Sequence, residues 1–408
     1  MARVLLATLA LTLAGAAAAQ PADEEEPAPE EDEGYVRPRE PLADRALMLR
    51  VGGSYSLDSN FFRSPTPREE RIATAYVGLS LDKAYAQQRF RLDITETAYR
   101  YDNFSHLDFE GLNYAGAWTW KFTPRIGGAL SATRAESLAD YGEFRQPGTL
   151  NVRTTENFLA SADAELFGGW HLTGGLRSEK NRYSVPFPQE GSYRANGGEA
   201  GVRWVASSSN WLAFNVRSLD GRYVDRALDP VAKVDDGFRR NELEALGTWH
   251  FTGKSSLEGR AAWIDYQSDH FAERDFSGLA AKLRYLWSLT GKLSLFAQAS
   301  QEIEPWSETR ASYRVEQRVS LGPVWQPLAR TTLRLEAAHT ENDFRGPLPG
   351  FTGTLRHDKL NGLHFDAEWR ALRNLSLKAS VFTYRQSSSD PIQNYDGNVV
   401  TFGASLLL

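Results

Sequence analysis

The chain has 408 residues, no Cys and a formal net charge of −6. Without Cys there are no disulfides and no thiolate chemistry. Eight acidic side chains in residues 21–34 account for more than the whole net charge, so the rest of the chain is close to neutral. A near-neutral body argues against a nucleic-acid-binding protein.

The N-terminal segment reads MARVLLATLALTLAGAAAAQ, with an early Arg, an apolar run and a cluster of small residues. This pattern predicts a secretory signal peptide over residues 1–19. Residues 20–44 are acidic and rich in Pro, and such a segment is predicted to be a disordered tail because it cannot bury enough apolar surface. No later apolar run approaches twenty residues, so the sequence predicts no membrane helix.

A motif then recurs about every forty residues. In each copy a Trp is followed eight residues later by a Leu, with a short polar segment between them: Trp204 and Leu212, Trp249 and Leu257, Trp287 and Leu295, Trp325 and Leu333, Trp369 and Leu377. A repeat of this length indicates one supersecondary element used many times.

The repeat is a hairpin, because apolar and polar residues alternate on both sides of its turn. Leu293, Leu295 and Ala297 share one face of a segment whose other face carries Ser294 and Gln298. Period-two alternation is typical of strands with one apolar face. Short turns are predicted near 82–87, 121–125, 167–169, 206–210, 252–255, 288–292, 326–330 and 370–374. Nine longer loops alternate with them, which gives eighteen strands, with sixteen as the alternative count.

The length of the strands and the placement of the aromatic residues favour a membrane barrel over a soluble sandwich. Strands of ten to fifteen residues exceed those of most globular proteins and are long enough to span a bilayer at a tilt. Eight Trp flank the short turns: Trp120, Trp170, Trp204, Trp211, Trp249, Trp287, Trp325 and Trp369. Many Tyr lie near the long loops, so two interfacial aromatic bands are expected. Residues 45–408 are therefore predicted to be all-β, an antiparallel up-and-down β-barrel of the outer membrane of a Gram-negative bacterium.

About eighteen strands leave a water-filled lumen. Strand parity predicts charged side chains of both signs along it: Arg89, Arg91, Asp93, Glu242, Glu244, Arg260, Arg284, Arg310, Arg314, Glu316, Arg318, Arg334, Glu336, Asp366 and Glu368. A strand predicted over 309–321 places Arg310, Arg314 and Arg318 on one face, as a ladder suited to an acidic polymer. The alternative is that these charges pair across strands and only stiffen the wall.

The early strands carry three recognisable elements: DSNFFR at Asp58 to Arg63, DKAYAQQR at Asp82 to Arg89, and YRY followed by WTW. With these elements the chain resembles the EpsL-type barrels of exopolysaccharide operons. The resemblance implies passage of a nascent exopolysaccharide across the outer membrane, beside a separate periplasmic polysaccharide-export protein. The family offers no catalytic residue to carry over.

Other functions remain open. A general diffusion porin or small-solute channel is the main alternative, although its usual inward-folded constriction loop is not expected from loops of this modest length. A structural or adhesive barrel is the second alternative. The seven His residues are scattered and neither GxSxG nor HExxH occurs, so no enzyme, cofactor or metal site is predicted.

Overall fold

The structure, a computed structural model, describes residues 46–144, 146–206, 210–308 and 310–408. The predicted signal peptide (1–19) and acidic tail (20–44) lie outside the described residues. Within them the chain forms eighteen strands: β1 Leu47–Asp58, β2 Glu70–Tyr85, β3 Gln88–Tyr101, β4 Phe109–Thr123, β5 Ile126–Leu138, β6 Val152–Phe167, β7 Trp170–Tyr183, β8 Tyr193–Val205, β9 Trp211–Tyr223, β10 Gly237–Thr252, β11 Ser255–Ser268, β12 Phe276–Ser288, β13 Leu293–Pro305, β14 Tyr313–Leu328, β15 Thr331–Arg345, β16 His357–Arg370, β17 Leu375–Ser388 and β18 Tyr395–Leu407.

The strands close into a single antiparallel ring. Each strand pairs with its neighbour in sequence, and β18 returns to pair with β1, where Phe402 faces Tyr55. Closure removes free sheet edges, so the backbone groups of the spanning strands are satisfied within the ring. The predicted up-and-down barrel and the count of eighteen strands are confirmed.

The two ends of the barrel differ in their connections. Two to five residues join the strands at one end, at the short turns predicted from the repeat. The other end carries the longer loops, and three of these contain a single 3-10 turn: Ser105–Leu107, Ala272–Arg274 and Pro391–Gln393. Among the described residues no helix is long and apolar enough to cross a bilayer.

The outer face of the barrel is a belt of exposed apolar side chains, which follow the predicted alternation. Leu176 is 68% exposed, Leu243 is 62% and Phe402 is 60%. Contiguous apolar surface on this scale is rare on a water-soluble monomer. The belt therefore faces lipid.

The predicted Trp lie at the short-turn end of the barrel. All eight predicted Trp lie within four residues of a short turn, and seven have the outward parity of their strands; Trp325 and Trp369, for example, are 48% and 52% exposed. Trp211 was predicted at the interface but shares the inward face of β9 with Ala213 and Arg217, because parity and not nearness to the turn sets the face. Indole rings at this height are typical of the membrane interface, because they pair an apolar ring with a polar N–H.

The prediction of a second interfacial band, formed by Tyr near the long loops, is wrong. Tyr101, Tyr183, Tyr223, Tyr266 and Tyr384 are all buried, with exposed fractions of 8% or less. Each shares its face with lumenal residues. Tyr266, for example, has the same parity as Arg260 on β11 and its ring stacks on Phe276 at 4.8 Å. Nearness to a strand end determines the position of a side chain along the barrel axis. Its parity in the strand determines whether it faces lipid or lumen.

Adjacent positions on β17 provide a test of the two faces. Leu377 is 37% exposed on the outer face, and Lys378 follows it on the lumenal face. Because the natural chain has no Cys, a single Cys at either position is the only thiol present. We expect Leu377→Cys to react with a lipid-soluble maleimide and Lys378→Cys with a water-soluble one. Labelling that does not depend on parity would contradict the barrel orientation.

Candidate functional site

The lumen is lined by the inward faces of the strands, and the predicted set of pore residues maps onto it with one exception. Arg89, Arg91, Asp93, Glu242, Glu244, Arg260, Arg284, Arg314, Glu316, Arg318, Arg334, Glu336, Asp366 and Glu368 all have the inward parity of their strands. The exception is Arg310. The strand predicted over 309–321 begins only at Tyr313, so Arg310 lies exposed in the preceding loop. The predicted ladder thus keeps two of its three guanidiniums.

The densest charge network lies on β7 to β11. Arg217 is at its centre and contacts Glu199 at 2.9 Å, Glu242 at 2.7 Å and Glu244 at 3.5 Å. Arg260 adds a 2.7 Å contact to Glu244. Glu242 and Glu244 are each only 5% exposed. Buried carboxylates of this kind are stable only while their cationic partners remain in place.

Elsewhere on the wall the charges are also paired, either along one strand or between strands that lie one or two positions apart in the ring. Glu336 bridges Arg318 at 3.3 Å and Arg334 at 2.9 Å, and Asp93 contacts Arg50 at 2.6 Å. Such pairs agree with the alternative that the lumenal charges stiffen the wall. They leave fewer free guanidiniums for a passing polymer than the ladder prediction supposed.

At the long-loop end the loops fold into the lumen and pack together through aromatic rings. This mouth plug has at its centre Phe62, Tyr141, Phe144, Phe187 and Trp306, which come from four loops and are nearly fully buried. Phe62 lies edge-on to Tyr141 at 4.8 Å, Phe144 to Phe187 at 5.6 Å, and Phe187 to Trp306 at 6.1 Å. Edge-to-face packing of this kind adds to the free energy of apolar burial.

The DSNFFR element forms one side of the plug. Its first and last residues, Asp58 and Arg63, make a buried 2.9 Å ion pair, and Arg63 also lies over the ring of Tyr384. Arg63 has a positive φ of 50°, which a tight turn requires. This turn directs the two Phe of the element inward, with Phe61 5% and Phe62 1% exposed. The element that carries the family resemblance is thus a structural part of the mouth.

A charged contact spans the barrel beneath the aromatic rings. Arg314, at the start of β14, donates to the carboxylate of Glu143 in the loop between β5 and β6, and also to Glu304 at 2.5 Å. Around the ring β14 is eight strands from β6 in one direction and nine from β5 in the other. The loop of Glu143 therefore crosses the lumen to the opposite wall.

Other loops are tied together at the same level. The backbone N–H of Ser307 donates to the carbonyl of Gln189 at 2.8 Å, and Arg226 donates to the Ser307 hydroxyl at 3.0 Å. These contacts join the loops that follow β7, β9 and β13. The mouth plug is therefore a single packed unit contributed by loops from around the ring.

Two carboxyl groups of the plug titrate differently. Burial raises the pKa of Glu190, in the loop after β7, to about 7, against the lowering effect of Arg153, and the nearby Glu143 raises it further. Glu190 also accepts a hydrogen bond from Tyr183. Burial acts the same way on Glu143, yet the facing Arg314 lowers its pKa below the usual range. Near neutral pH one carboxylate stays charged while the other gains or loses a proton.

One group of potential metal ligands occurs among the described residues. Asp235, Asp236 and His270 place ligand atoms within 4.8 Å of one another in two outer loops. Asp235 already accepts hydrogen bonds from the backbone N–H groups of Gly237, His270 and Phe271, and lies 3.0 Å from the His270 ring. The cluster ties two loops together without requiring an ion.

Comparison with solved structures shows the same architecture. OccK2 of Pseudomonas aeruginosa, in complex with glucuronate, aligns over 90% of this chain and 99% of its own, with 13% identity and a TM-score of 0.51. OpdK of the same organism, with vanillate, covers 89% and 98%, with 10% identity and a TM-score of 0.50. The outer-membrane alcaligin receptor FauA of Bordetella pertussis covers 88% and 76%, with 11% identity and a TM-score of 0.43. The fold is that of an outer-membrane β-barrel. No family model and no curated protein sequence matches the chain.

The fold sets the orientation of the barrel. In bacterial outer-membrane barrels short turns face the periplasm and longer loops face the outside. The Trp band therefore lies at the periplasmic interface, and the mouth plug closes over the extracellular end of the lumen.

The mouth plug was not predicted from the sequence. Its residues lie in loops, where strand parity gives no information about direction. A usable signal was present, because Phe61, Phe62, Phe144, Phe187 and Trp306 are large apolar residues in otherwise polar loops. Exposing so many rings to water at the cell surface is unfavourable, which predicts that they pack against something.

Proposed function

We propose that this barrel is a gated outer-membrane channel for small polar solutes. The observation that carries the proposal is the contact between Glu143 and Arg314, which takes a loop across the full width of the lumen. Such a loop narrows the pore at this level. A continuous sugar polymer would need the whole plug to move aside.

The ligands of two barrels of similar fold indicate which solutes to test first. Two barrels of similar fold were solved with glucuronate and with vanillate, both small carboxylates. The lumen here offers guanidinium groups on β14, at Arg314 within the constriction and at Arg318 below it. Arginine recognises a carboxylate through paired N–H donors. We therefore choose small sugar acids as the first solutes to test.

The direct test is swelling of liposomes that contain the purified barrel. We expect monosaccharides and glucuronate to enter and short dextrans to be excluded. Empty liposomes and liposomes with heat-denatured barrel are the controls. Free passage of dextran would favour polymer export, and no entry of any small solute would contradict a channel.

Passage of exopolysaccharide with a periplasmic export partner stays a prediction that rests on the family resemblance. It would be supported if deletion of the gene lowered surface polysaccharide while uptake of small solutes stayed unchanged. The structural or adhesive barrel has no particular observation in its favour.

The titration of Glu190 predicts a pH-dependent gate. Its pKa in the closed plug, about 7, lies above the ordinary value of 4.5 for an exposed glutamate, so the closed state binds the proton more tightly than an open state does. Closure is therefore favoured below about pH 4.5, and this contribution is lost as pH rises towards 7. We expect the open probability in planar bilayers to rise at least about tenfold between pH 5 and pH 8.

Glu190→Gln is the matched variant, because its amide is neutral at every pH and keeps nearly the same shape. It should remain mostly closed at pH 8 and lose the pH dependence. Wild-type conductance that is flat across this range, or a variant that gates like the wild type, would contradict the assignment.

A further inference from the structure

A row of basic side chains crosses the outer face of β7 to β9 near the extracellular end. Lys180 on β7 lies directly opposite Arg194 on β8, and Arg194 lies opposite Arg222 on β9. All three have the lipid-facing parity of their strands, as does Arg182 two residues beyond Lys180. Like charges directly opposite each other in neighbouring strands destabilise a sheet. The row is therefore expected to be stabilised by negatively charged groups beside it.

The described part of the chain supplies few negatively charged side chains near this row. Lys180 contacts Glu156 at 2.8 Å, and the nearest acid in the row below, Asp220, pairs with Arg239 at 2.7 Å. Arg182, Arg194 and Arg222 are exposed, and within the described ranges no carboxylate lies within ion-pair distance of them. Three guanidiniums are thus clustered at the lipid face without an acidic partner.

An apolar recess lies directly below this row. Gly198 is four residues below Arg194 on the same face of β8, roughly 13 Å along the strand. On the lipid side the lower part of the recess is bordered by apolar residues: Leu176, Ala200, Val216, Leu243 and Trp263. Its upper border, level with Gly198, is polar and is formed by Ser218, Asn241 and Asp265. Register aligns Ala200 with Val216, Val216 with Leu243 and Leu243 with Trp263, which forms a continuous apolar floor.

We propose that the outer face of β7 to β10 binds lipid A, the phosphorylated and acylated disaccharide of the outer leaflet. The arginine row takes its phosphate, because the planar fork of Arg matches phosphate oxygens. The recess takes an acyl chain, because its lower part is apolar and lies on the lipid-facing side of the strands. The position of both features on the lipid side and at the extracellular end selects a lipid of the outer leaflet as the occupant.

The test uses the full barrel in detergent, titrated with lipid A and followed by native mass spectrometry. The headgroup variant is Arg182→Gln, Arg194→Gln and Arg222→Gln combined. The recess variant is Gly198→Leu, where a Cβ would meet its nearest neighbour at 3.4 Å, an ordinary contact. The control combines Arg71→Gln, Arg100→Gln and Arg345→Gln on strands β2, β3 and β15. It removes the same amount of positive charge at the same end of the barrel, but each of these Arg has an acidic neighbour.

We expect the headgroup variant to bind lipid A about tenfold to hundredfold more weakly, because each cationic side chain strengthens binding to an anionic lipid headgroup. The recess variant should also bind more weakly, and the control should bind as the wild type does. Heat-modifiable migration of each variant confirms that it has folded. Three results would overturn the proposal. They are binding of dephosphorylated lipid A as tight as that of lipid A, binding of inorganic phosphate alone as tight as that of lipid A, and a loss of binding in the control equal to that in the headgroup variant.

Discussion

Replacing residues 140–149 with a Gly-Ser linker of the same length should raise single-channel conductance several-fold. This segment carries Tyr141 and Phe144 into the aromatic centre of the plug and Glu143 across the lumen to Arg314. Its removal takes away the crossing loop while the eighteen strands keep their pairing. The measurement is conductance in planar bilayers at fixed salt and pH.

The matched control replaces residues 229–234, in the loop after β9, with a linker of equal length. Val231 in that loop is 94% exposed, and none of these six residues belongs to the aromatic cluster at the centre of the mouth plug. Conductance should stay at the wild-type level. If both replacements raise conductance equally, or if neither does, the loop of Glu143 is not the constriction.

Arg217→Met should cause the largest loss of stability of any single wall substitution. Arg217 neutralises Glu199, Glu242 and Glu244, two of which are almost fully buried. Removal of one partner of a buried ion pair costs about 3–5 kcal/mol, because the remaining charge has no compensation. The free energy of unfolding is measured by denaturant titration of the barrel in lipid vesicles.

Two further variants separate the causes. Arg89→Met removes an exposed pair with Asp82 and should change stability by less than about 1 kcal/mol. Adding Glu242→Gln and Glu244→Gln to Arg217→Met should recover part of the loss, since the uncompensated charges are then gone. A loss no larger than that of Arg89→Met would show that water in the lumen screens the network.

The fold was largely predictable because a barrel strand repeats one rule along its length. Alternation located the turns, and the Trp–Leu repeat marked the periplasmic rim at Trp249, Trp287, Trp325 and Trp369. Each of these signals is local, and the closed ring follows from the need to satisfy every backbone group in lipid.

The functional mouth was not predictable in the same way. Glu143 and Arg314 are 171 residues apart in sequence, and their contact depends on how the ring brings opposite loops together. The predicted strand begins four residues before Tyr313, because Arg310 continues the four-residue spacing of Arg314 and Arg318. The inward Tyr also lie near strand ends, so their position along the strand alone does not distinguish the lumen from the membrane interface; their parity does.

The most direct test of the crossing loop is a chemical cross-link across the lumen. Glu143→Cys and Arg314→Cys are combined in the natural Cys-free chain and treated in whole cells with a bismaleimide that matches the span of an Arg–Glu contact. The control pairs Glu143→Cys with Lys378→Cys, which lies on the lumenal face of β17 towards the periplasmic end. The account predicts an intramolecular cross-link in the first variant, no cross-link in the control, and conductance held low once the link has formed. A correctly folded barrel in which the first pair does not cross-link, while the thiol introduced by Glu143→Cys reacts freely with a large impermeant maleimide from outside the cell, would contradict it.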